Sequence, residues 1–436
     1  YEKVTKKYVW NEARVGDYFF NLEQEENAFR DLSGHLAQAT TQQQINENIS
    51  SFSNLMEKVC DSLFSKNLSE YSNNSDIEQT SNQPWFDDEC RRLRNLFYAS
   101  LNTYRRCKTL NNQTELTTAR SNYKKKLRQK RYIFMKEKTT KLMVSKSKNV
   151  KEYWKLLKHA ANLKTKCTID ARRFSEYFHA ISDPNDRFYQ PDEDILYFNE
   201  RYIQGELQVM FEELNIPISE AEIKKGVNQL RNGTSAGPDL FWNEFLKNGT
   251  NGLLAYIHNL FNKLYEMGYF PESWTEGHII PIFKKGDRND VSNYRGITLL
   301  SIVGKLFTRI LNNRPINWAE EYNIYVEAQA GFRKNMGTTD NIFILNNLIT
   351  HCINSNERLY CAFVDFTKAF DFVVRDILWF KLLKLGIRGK MLDIIKSIYS
   401  SVNSRVKQNN TLSEPFECNI GVRQGECLSP SCLPCT

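Results

Sequence analysis

An aspartate that could bind a metal ion, Asp365, directly follows a short apolar and β-prone stretch, residues 359–364. If that stretch forms a strand, the carboxylate of Asp365 lies at the carboxyl end of the strand, beside a turn. A helical pattern then runs from about Asp376 to Leu385 and is closed by Gly386. Mg²⁺ is a hard ion that binds one or two protein carboxylates together with phosphate oxygens of a substrate. An aspartate after a strand is also a common turn residue or helix cap, so the spacing alone leaves both interpretations open.

Positive charge is concentrated between Arg120 and Lys158, where fifteen Lys or Arg residues stand against two acidic ones. Aromatic residues such as Tyr123 and Tyr132 are interleaved with them. A solvated helix whose long cationic side chains cover an apolar stripe would have this composition. So would a nucleic-acid-binding face, with cations on phosphates and rings available for stacking. The residues that would contact nucleic acid in the second interpretation are Lys124, Lys125, Lys126, Arg128, Lys130 and Arg131.

The composition is that of a globular chain with more than one domain. With 436 residues, of which 41% are hydrophobic, it is long enough for two or three cores. The net charge of +8 is mildly basic and only hints at an anionic partner. The ten cysteines lack the spacing of a disulfide framework, which favours reduced thiols in an intracellular protein. No apolar run approaches about 18 residues, so we expect no membrane-spanning segment.

The pattern divides the chain into four regions. The first carries apolar residues at helical spacing, such as Phe52, Met56 and Val59, and ends in a polar stretch. The second is the basic helical region, and the third is an acidic and aromatic connector. In the last, helices alternate with short apolar strands, which predicts an α+β fold. The four regions are residues 1–83, 84–166, 167–215 and 216–436.

Two stretches near the end of the chain, residues 363–371 (FVDFTKAFD) and 421–430 (GVRQGECLSP), resemble successive palm motifs of LINE-type (non-LTR) retrotransposon reverse transcriptases. Group II intron maturases are the nearest alternative family, but the long basic region and the Gly-Phe-Arg block favour the retrotransposon assignment. The region before residue 200 is more loosely similar to the segment that joins an endonuclease to the polymerase in this family. The other matching blocks, in the family's order, are 235–239 (SAGPD), 278–287 (HIIPIFKKGD), 293–300 (NYRGITLL) and 328–333 (AQAGFR) with 338–340 (TTD).

This resemblance implies RNA-directed DNA synthesis by metal-assisted nucleotidyl transfer. Asp365 would bind two Mg²⁺ ions, joined by the backbone carbonyl of Phe366, and the ions would hold the attacking 3′-hydroxyl and the leaving pyrophosphate in line. Phe370 would be a steric gate beneath the sugar that selects deoxynucleotides, with core packing as the simpler alternative. Asp371 belongs to the family pattern but could equally cap the following turn.

Contacts with the incoming nucleotide are implied in the same way. Lys284 or Lys285, which the sequence does not separate, would bind the triphosphate together with Arg295. Gln424 and Gly425 would lie beside the nascent base pair, where a glycine permits close approach of the backbone. The substrates expected are deoxynucleoside triphosphates.

Contacts with the template and primer are implied for Gly237, Asp239 and Arg333. For the turn around Gly237 and Asp239, a helix-capping role is nearly as compatible with the sequence. The partners expected are an RNA template and a DNA primer or target, with no membrane. No protein partner is indicated. The family predicts an intracellular location in the nucleus and cytoplasm.

The resemblance stops after residue 430, where the chain continues as SCLPCT instead of reaching a third palm motif with paired aspartates. The chain also begins at Tyr1 rather than at a methionine. We therefore expect a helical N-terminal region followed by an incomplete right-hand polymerase, with fingers and a partial palm, that is catalytically inactive. The alternative is a non-catalytic RNA- or DNA-binding remnant acting through the basic helical region. The pair Cys432 and Cys435 is a weak indication of zinc.

Overall fold

The structure, a computed structural model, describes residues 2–3, 6–67, 85–148, 153–154, 156–157, 167–183, 193–205 and 211–429. The chain forms two units. The first unit combines Tyr1–Leu68 with Thr168–Thr436, and the second unit is Ser69–Cys167. The polar stretch expected before residue 84 and the Cys432–Cys435 pair lie outside the described residues.

Helices make up most of both units, and several begin at a side-chain cap. Thr41 and Ser219 each form a capping box with the glutamine or glutamate three residues later, which satisfies backbone N–H groups in the first turn. The helices are α1 (Val15–Gln24), α2 (Glu26–Gln38), α3 (Gln42–Phe64), α4 (Asp88–Arg106), α5 (Leu110–Lys148), α6 (Ala171–Ser182), α7 (Glu193–Ile203), α8 (Glu220–Asn228), α9 (Asn243–Lys247), α10 (Asn251–Met267), α11 (Glu272–Thr275), α12 (Ile302–Glu321), α13 (Thr338–Asn354), α14 (Arg375–Lys384) and α15 (Lys390–Ser400).

Strands occur in the first unit. They are β1 (Glu2–Lys3), β2 (Lys6–Tyr8), β3 (Ser65–Asn67), β4 (Glu276–Phe283), β5 (Tyr294–Leu299), β6 (Asn403–Gln408), β7 (Thr411–Leu412) and β8 (Phe416–Glu417).

The main sheet has the order β1-β7-β6-β4-β5, with β8 also paired to β6, and β2 pairs with β3 in a separate ribbon. Its central pair, β4 and β6, is parallel. β4 and β5 are antiparallel, with Ile282 opposite Arg295. Lys284 and Arg295 therefore lie near the same end of the hairpin. The mixture of helices and sheet confirms the α+β prediction.

The N-terminal helices belong to the core of the first unit. The ring of Phe52 in α3 stacks on Tyr256 in α10 with centroids 4.8 Å apart. The hydroxyl of Tyr18 in α1 donates a hydrogen bond to the carbonyl of Phe245 at 2.9 Å. All four side chains are buried. The predicted helical spacing around Phe52 is confirmed by α3, and the helix packs directly against the region that follows residue 216.

The second unit contains an antiparallel-type pairing of α4 with α5, which contact each other along their length. Asp87 caps α4 by accepting a hydrogen bond from Cys90 N at 3.0 Å. Phe97 of α4 stacks on Tyr123 of α5 with centroids 6.0 Å apart. The basic stretch is therefore helical over Arg120 to Lys148.

Candidate functional site

The two palm-like motifs meet through their backbones. The N–H of Gly421 donates to the carbonyl of Val373 at 2.9 Å, and the N–H of Val422 donates to the carbonyl of Phe370 at 2.8 Å. Gly421 has φ +80, and a Cβ there would lie 2.7 Å from the carbonyl oxygen of Asp371. Only glycine fits both the conformation and the contact, which locks the loop before Gln424 onto the turn that carries Asp371.

The same loop is joined to β5. Thr298 N donates to the carbonyl of Gln424 at 2.8 Å. Gly425 has φ +123, and a Cβ there would lie 2.5 Å from the carbonyl oxygen of Thr298. The missing side chain of Gly425 thus permits a close approach to the backbone of Thr298, which brings Gln424 beside the β4–β5 hairpin. The expected place of Gln424 and Gly425 beside the nascent base pair stays a prediction.

Asp371 lies at the centre of this junction. The amide Nε2 of Gln424 is 3.5 Å from each of its carboxylate oxygens. Burial raises the pKa of Asp371 above its ordinary value, whereas the nearby charges of Lys368, Lys284 and Arg295 act in the opposite direction. The charges of these three cations and the amide of Gln424 thus act on one carboxylate, and they come from the turn at Asp371, the β4–β5 hairpin and the loop at Gln424. Such a cluster can neutralise the charge of a bound phosphate.

The expected strand before Asp365 is not formed, and this prediction is wrong. Residues 359–366 have no strand structure, and the side chains of Asp365 and Phe366 are exposed, with 79% exposure for Phe366. A strand needs a neighbour for its backbone hydrogen bonds, and none of the described strands pairs with this stretch. Asp365 therefore stands in an exposed segment without regular secondary structure.

A family model for "Reverse transcriptase (RNA-dependent DNA polymerase)" matches residues 282–434, which include Lys284, Arg295, Asp371 and Gln424. Residues 282–434 therefore resemble a reverse transcriptase domain. The match covers the end of β4, all of β5, the turn at Asp371 and the loop at Gln424.

Several relatives carry the comparison to mobile elements. The RNA-directed DNA polymerase from mobile element jockey of Drosophila funebris is 29% identical over 216 residues, covering 49% of this chain and 24% of the relative. The probable RNA-directed DNA polymerase from transposon BS of Drosophila melanogaster is 30% identical over 215 residues, 49% of this chain and 24% of the relative. A type-1 retrotransposable element R2 polyprotein of Nasonia vitripennis is 27% identical over 235 residues, 54% of this chain and 22% of the relative. The chain thus spans about a quarter of these relatives, and the LINE-type assignment is confirmed.

Phe370 lies at the edge of the reverse transcriptase core. Its ring is half-buried, packs against the core and meets the ring of Phe332 edge-on with centroids 6.5 Å apart. A cavity of about 70 Å³ opens beside the neighbouring Asp371. The packing alternative for Phe370 is therefore observed. The ring also lies next to the cluster around Asp371, and its role as a steric gate for the sugar stays a prediction.

The surroundings of Asp371 include residues that sequence reasoning passed over. Lys368 adopts a left-handed backbone conformation, φ 53, and its ammonium lies over the ring of Tyr177 in α6 at 4.9 Å. Phe178 of the same helix lines the cavity beside Asp371. Both aromatic residues come from the stretch treated as a connector. Its helical apolar spacing was the available signal.

The turn around Asp239 has a structural role in the domain. The carboxylate of Asp239 accepts a hydrogen bond at 2.7 Å from the N–H of Ile302, the first residue of α12. It accepts another at 3.3 Å from the N–H of Phe241. Burial raises the pKa of Asp239 to about 6. A Cβ on Gly237 would lie 2.0 Å from the carbonyl oxygen of Leu300. The capping alternative is therefore realised, and contact of Gly237 and Asp239 with a template stays a prediction.

Arg333 is engaged within the protein. Its guanidinium forms a two-pronged ion pair with Glu320, at 3.0 and 2.7 Å, which holds the pKa of that carboxyl below its ordinary value. It also donates to the carbonyl of Val326 at 3.3 Å and lies over the ring of Tyr325. A role of Arg333 toward the template or primer stays a prediction.

The six basic candidates of the second unit fall into two sets. Lys126 pairs with Glu89 at 2.7 Å, and Lys130 pairs with Asp87 at 2.6 Å, so both face α4. The hydrogen bonds from Lys130 and from the backbone of Cys90 lower the pKa of Asp87 to about 2. The exposed set, spaced along the other side of α5, comprises Lys124, Lys125, Arg128 and Arg131. The distinction could not be seen in the charge pattern, because Asp87 and Glu89 lie about 40 residues earlier.

The residues that the structure describes contain neither a metal-binding group nor a membrane-spanning helix. Within those residues, no three His, Cys, Asp or Glu side chains converge as a metal-binding group. No described helix is both long and apolar enough to cross a bilayer.

Proposed function

We propose that the cluster around Asp371 binds the triphosphate of a deoxynucleotide, and that the domain acts in RNA-directed DNA synthesis by two-metal nucleotidyl transfer. The observations that support this are the contact of Gln424 with the Asp371 carboxylate and the position of Lys284 and Arg295 on the β4–β5 hairpin, which is joined to the carbonyl of Gln424 through Thr298 N. Arg295 can fork onto two phosphate oxygens, and Lys284 adds a point charge. Lys284 is favoured over Lys285 because Lys284 is the one whose charge acts on Asp371.

The metal in this proposal is Mg²⁺. Asp365 and the carbonyl of Phe366 would hold it, since an exposed carboxylate can combine with substrate phosphate oxygens, which this ion prefers. Two such ions require more negative charge than one carboxylate provides. We expect polymerisation by this chain alone to be very slow or absent, because Asp365 is the one carboxylate that this proposal assigns to the ions.

Nucleotide binding is the direct test. The Kd for dGTP in the presence of Mg²⁺ can be measured by isothermal titration calorimetry. It should rise roughly tenfold or more in Lys284→Gln and in Arg295→Gln, because each variant loses a charged contact with phosphate. Lys285→Gln should have a smaller effect than Lys284→Gln. The exposed Arg358→Gln serves as a matched loss of charge outside the cluster. Equal Kd values in the wild type, Lys284→Gln and Arg295→Gln would overturn the assignment.

Two further arms address the gate and the metal. Phe370→Ala should narrow the ratio between the Kd values for GTP and dGTP, because a smaller side chain no longer excludes the 2′-hydroxyl. Primer extension on an RNA template with Mg²⁺ measures polymerisation directly. Robust incorporation abolished by Asp365→Ala would show that the expectation of an inactive chain is wrong, while supporting the role of Asp365.

The second candidate function is nucleic-acid binding through the second unit. Its support is the exposed row of Lys124, Lys125, Arg128 and Arg131 on α5, next to Tyr132, which is 67% exposed. Replacing these four with Gln should weaken RNA binding and reduce the slope of log K against log salt by about 0.7 per lost contact on single strands. Replacing the paired Lys126 and Lys130 should change that slope less. An equal loss in both variants would argue against a defined binding face.

A further inference from the structure

The loop that leads into Gln424 is held by one guanidinium. Arg375, in the first turn of α14, donates from Nε to the carbonyl of Gly421 at 3.1 Å. Its Nη2 donates to the carbonyls of Cys418 at 2.7 Å and Ile420 at 3.4 Å. Its Nη1 donates to the carbonyl of Tyr399 at 2.9 Å. Three of these four acceptors belong to residues 418–421, so the side chain fixes the course of that loop.

The opposite polar groups of the same loop are also satisfied. The carbonyl of Ser182, the last residue of α6, accepts from Asn419 N at 3.0 Å and from Ile420 N at 3.3 Å. Cys418 N donates to the carbonyl of Val402 at 2.8 Å. Carbonyl groups of the loop thus accept hydrogen bonds from Arg375, and its N–H groups donate to the carbonyls of Ser182 and Val402. Residues 418–421 are held from both sides without any regular secondary structure of their own.

The planar fork of arginine is what this arrangement uses. The guanidinium of Arg375 is half-buried, and its Cζ lies 5.4 Å from the centroid of the Tyr399 ring. The hydroxyl of Tyr399 donates in turn to Glu426 at 2.8 Å, two residues beyond Gln424. A lysine could neither reach the same set of carbonyls nor stack in the same way. Arg375 therefore contacts the loop on both sides of Gln424, directly before it and through Tyr399 after it.

We propose that Arg375 is a positioning residue that holds residues 418–425 so that Gln424 stays beside Asp371 and the phosphate-binding cations. This inference rests on the proposed nucleotide site and adds to it a residue that does not touch the substrate. Gln424 reaches Asp371 only at 3.5 Å, a contact that a small shift of the loop would remove. A displacement of about 1 Å at a substrate-positioning group can cost roughly a hundredfold in rate.

Hydrogen exchange measured by mass spectrometry on the full chain tests the positioning directly. In Arg375→Met, amides of residues 418–425 should exchange at least about tenfold faster, because the loop opens locally while the rest of the domain stays folded. Peptides from α10 should exchange as in the wild type. If Arg375→Met does not fold, Arg375→Lys decides, with a smaller but still local acceleration expected. Loop exchange that is unchanged, or that accelerates only together with α10, would refute the proposal.

Arg314 provides a matched control. It is also buried, donates to the carbonyls of Ile216 at 2.6 Å and Pro217 at 3.0 Å, and stacks over Tyr265, but it pairs with Glu222 away from the cluster. Arg314→Met should lower stability without a selective change at residues 418–425. A selective change there would show that loss of any buried arginine loosens the loop, which would also refute the proposal.

Nucleotide affinity separates this inference from the function on which it rests. The Kd for dGTP with Mg²⁺ should rise about tenfold or more in Arg375→Met and stay near the wild-type value in Arg314→Met. If the wild type binds no dGTP, the proposed function fails, and the exchange data still decide whether Arg375 holds the loop. If the wild type binds and the loop opens but the Kd is unchanged, the positioning role is refuted while the proposed function stands.

Discussion

Replacing Gly421 by alanine should destabilise the first unit, because the added methyl meets backbone atoms that cannot turn aside. The built Cβ lies 2.7 Å from the carbonyl oxygen of Asp371 and 2.9 Å from that of Phe370. The residue also has φ +80, a region that side-chain-bearing residues rarely adopt. Either the overlap or the backbone conformation alone would lower the free energy of unfolding, and both arise from the added Cβ.

The expected magnitude follows from these contacts. The backbone conformation costs a non-glycine residue about 1–3 kcal/mol. Relief of the overlap requires the loop to move away, which weakens the hydrogen bonds from Gly421 to Val373 and from Val422 to Phe370, each worth about 0.5–1.5 kcal/mol. The free energy of unfolding should therefore fall by roughly 2–5 kcal/mol.

Urea unfolding followed by tryptophan fluorescence is a suitable assay, because Trp379 packs near this junction against Tyr399. Gly34→Ala in α2 is the matched control: a Cβ there meets nothing within 4 Å, and the helix should gain up to about 1 kcal/mol. A Gly421→Ala protein with a midpoint equal to that of the wild type would refute the account of the junction.

Three other predictions concern packing and charge. Phe52→Ala should lower the free energy of unfolding of the first unit by about 3–5 kcal/mol, measured by the same urea assay, because it removes a buried ring stacked on Tyr256. Asp239 has its pKa raised to about 6 by burial, so the folded state binds the extra proton and stability should fall as pH rises from about 4 to 6. Asp239→Asn should flatten that part of the profile in thermal melts, and an unchanged slope would contradict it. Lys130→Met should move the pKa of Asp87, now about 2, up toward its ordinary value, as followed by NMR titration, because Asp87 loses its closest cation.

Local patterns predicted the helices well. The spacing of Phe52 and its neighbours predicted α3, and the pattern ending at Gly386 predicted α14, where Gly386 has φ +93 and closes the helix. Both signals are contained within a few turns of chain. The α+β class followed from the same alternation of short elements. These features need no knowledge of distant residues.

What failed depends on distant partners. Residues 359–364 have the composition of a strand, yet a strand forms only where another segment pairs with it, and no described strand does. The sequence left Asp371 open between the family pattern and a turn cap, since its burial and the charges that act on it become visible only when β4, β5 and the loop at Gln424 are brought together. The pairing of Lys126 and Lys130 is hidden for the same reason.

The rings that join α1 and α3 to α9 and α10 bear on how the domain can be cut. At most 2% of each of four aromatic residues is exposed to solvent while the N-terminal helices are in place: Tyr18, Phe52, Phe245 and Tyr256. A fragment started at residue 216, where the family-like blocks begin, would leave Phe245 and Tyr256 uncovered and prone to aggregate. We therefore expect a stable fragment that contains residues 282–434 to retain the helices of residues 15–64 as well.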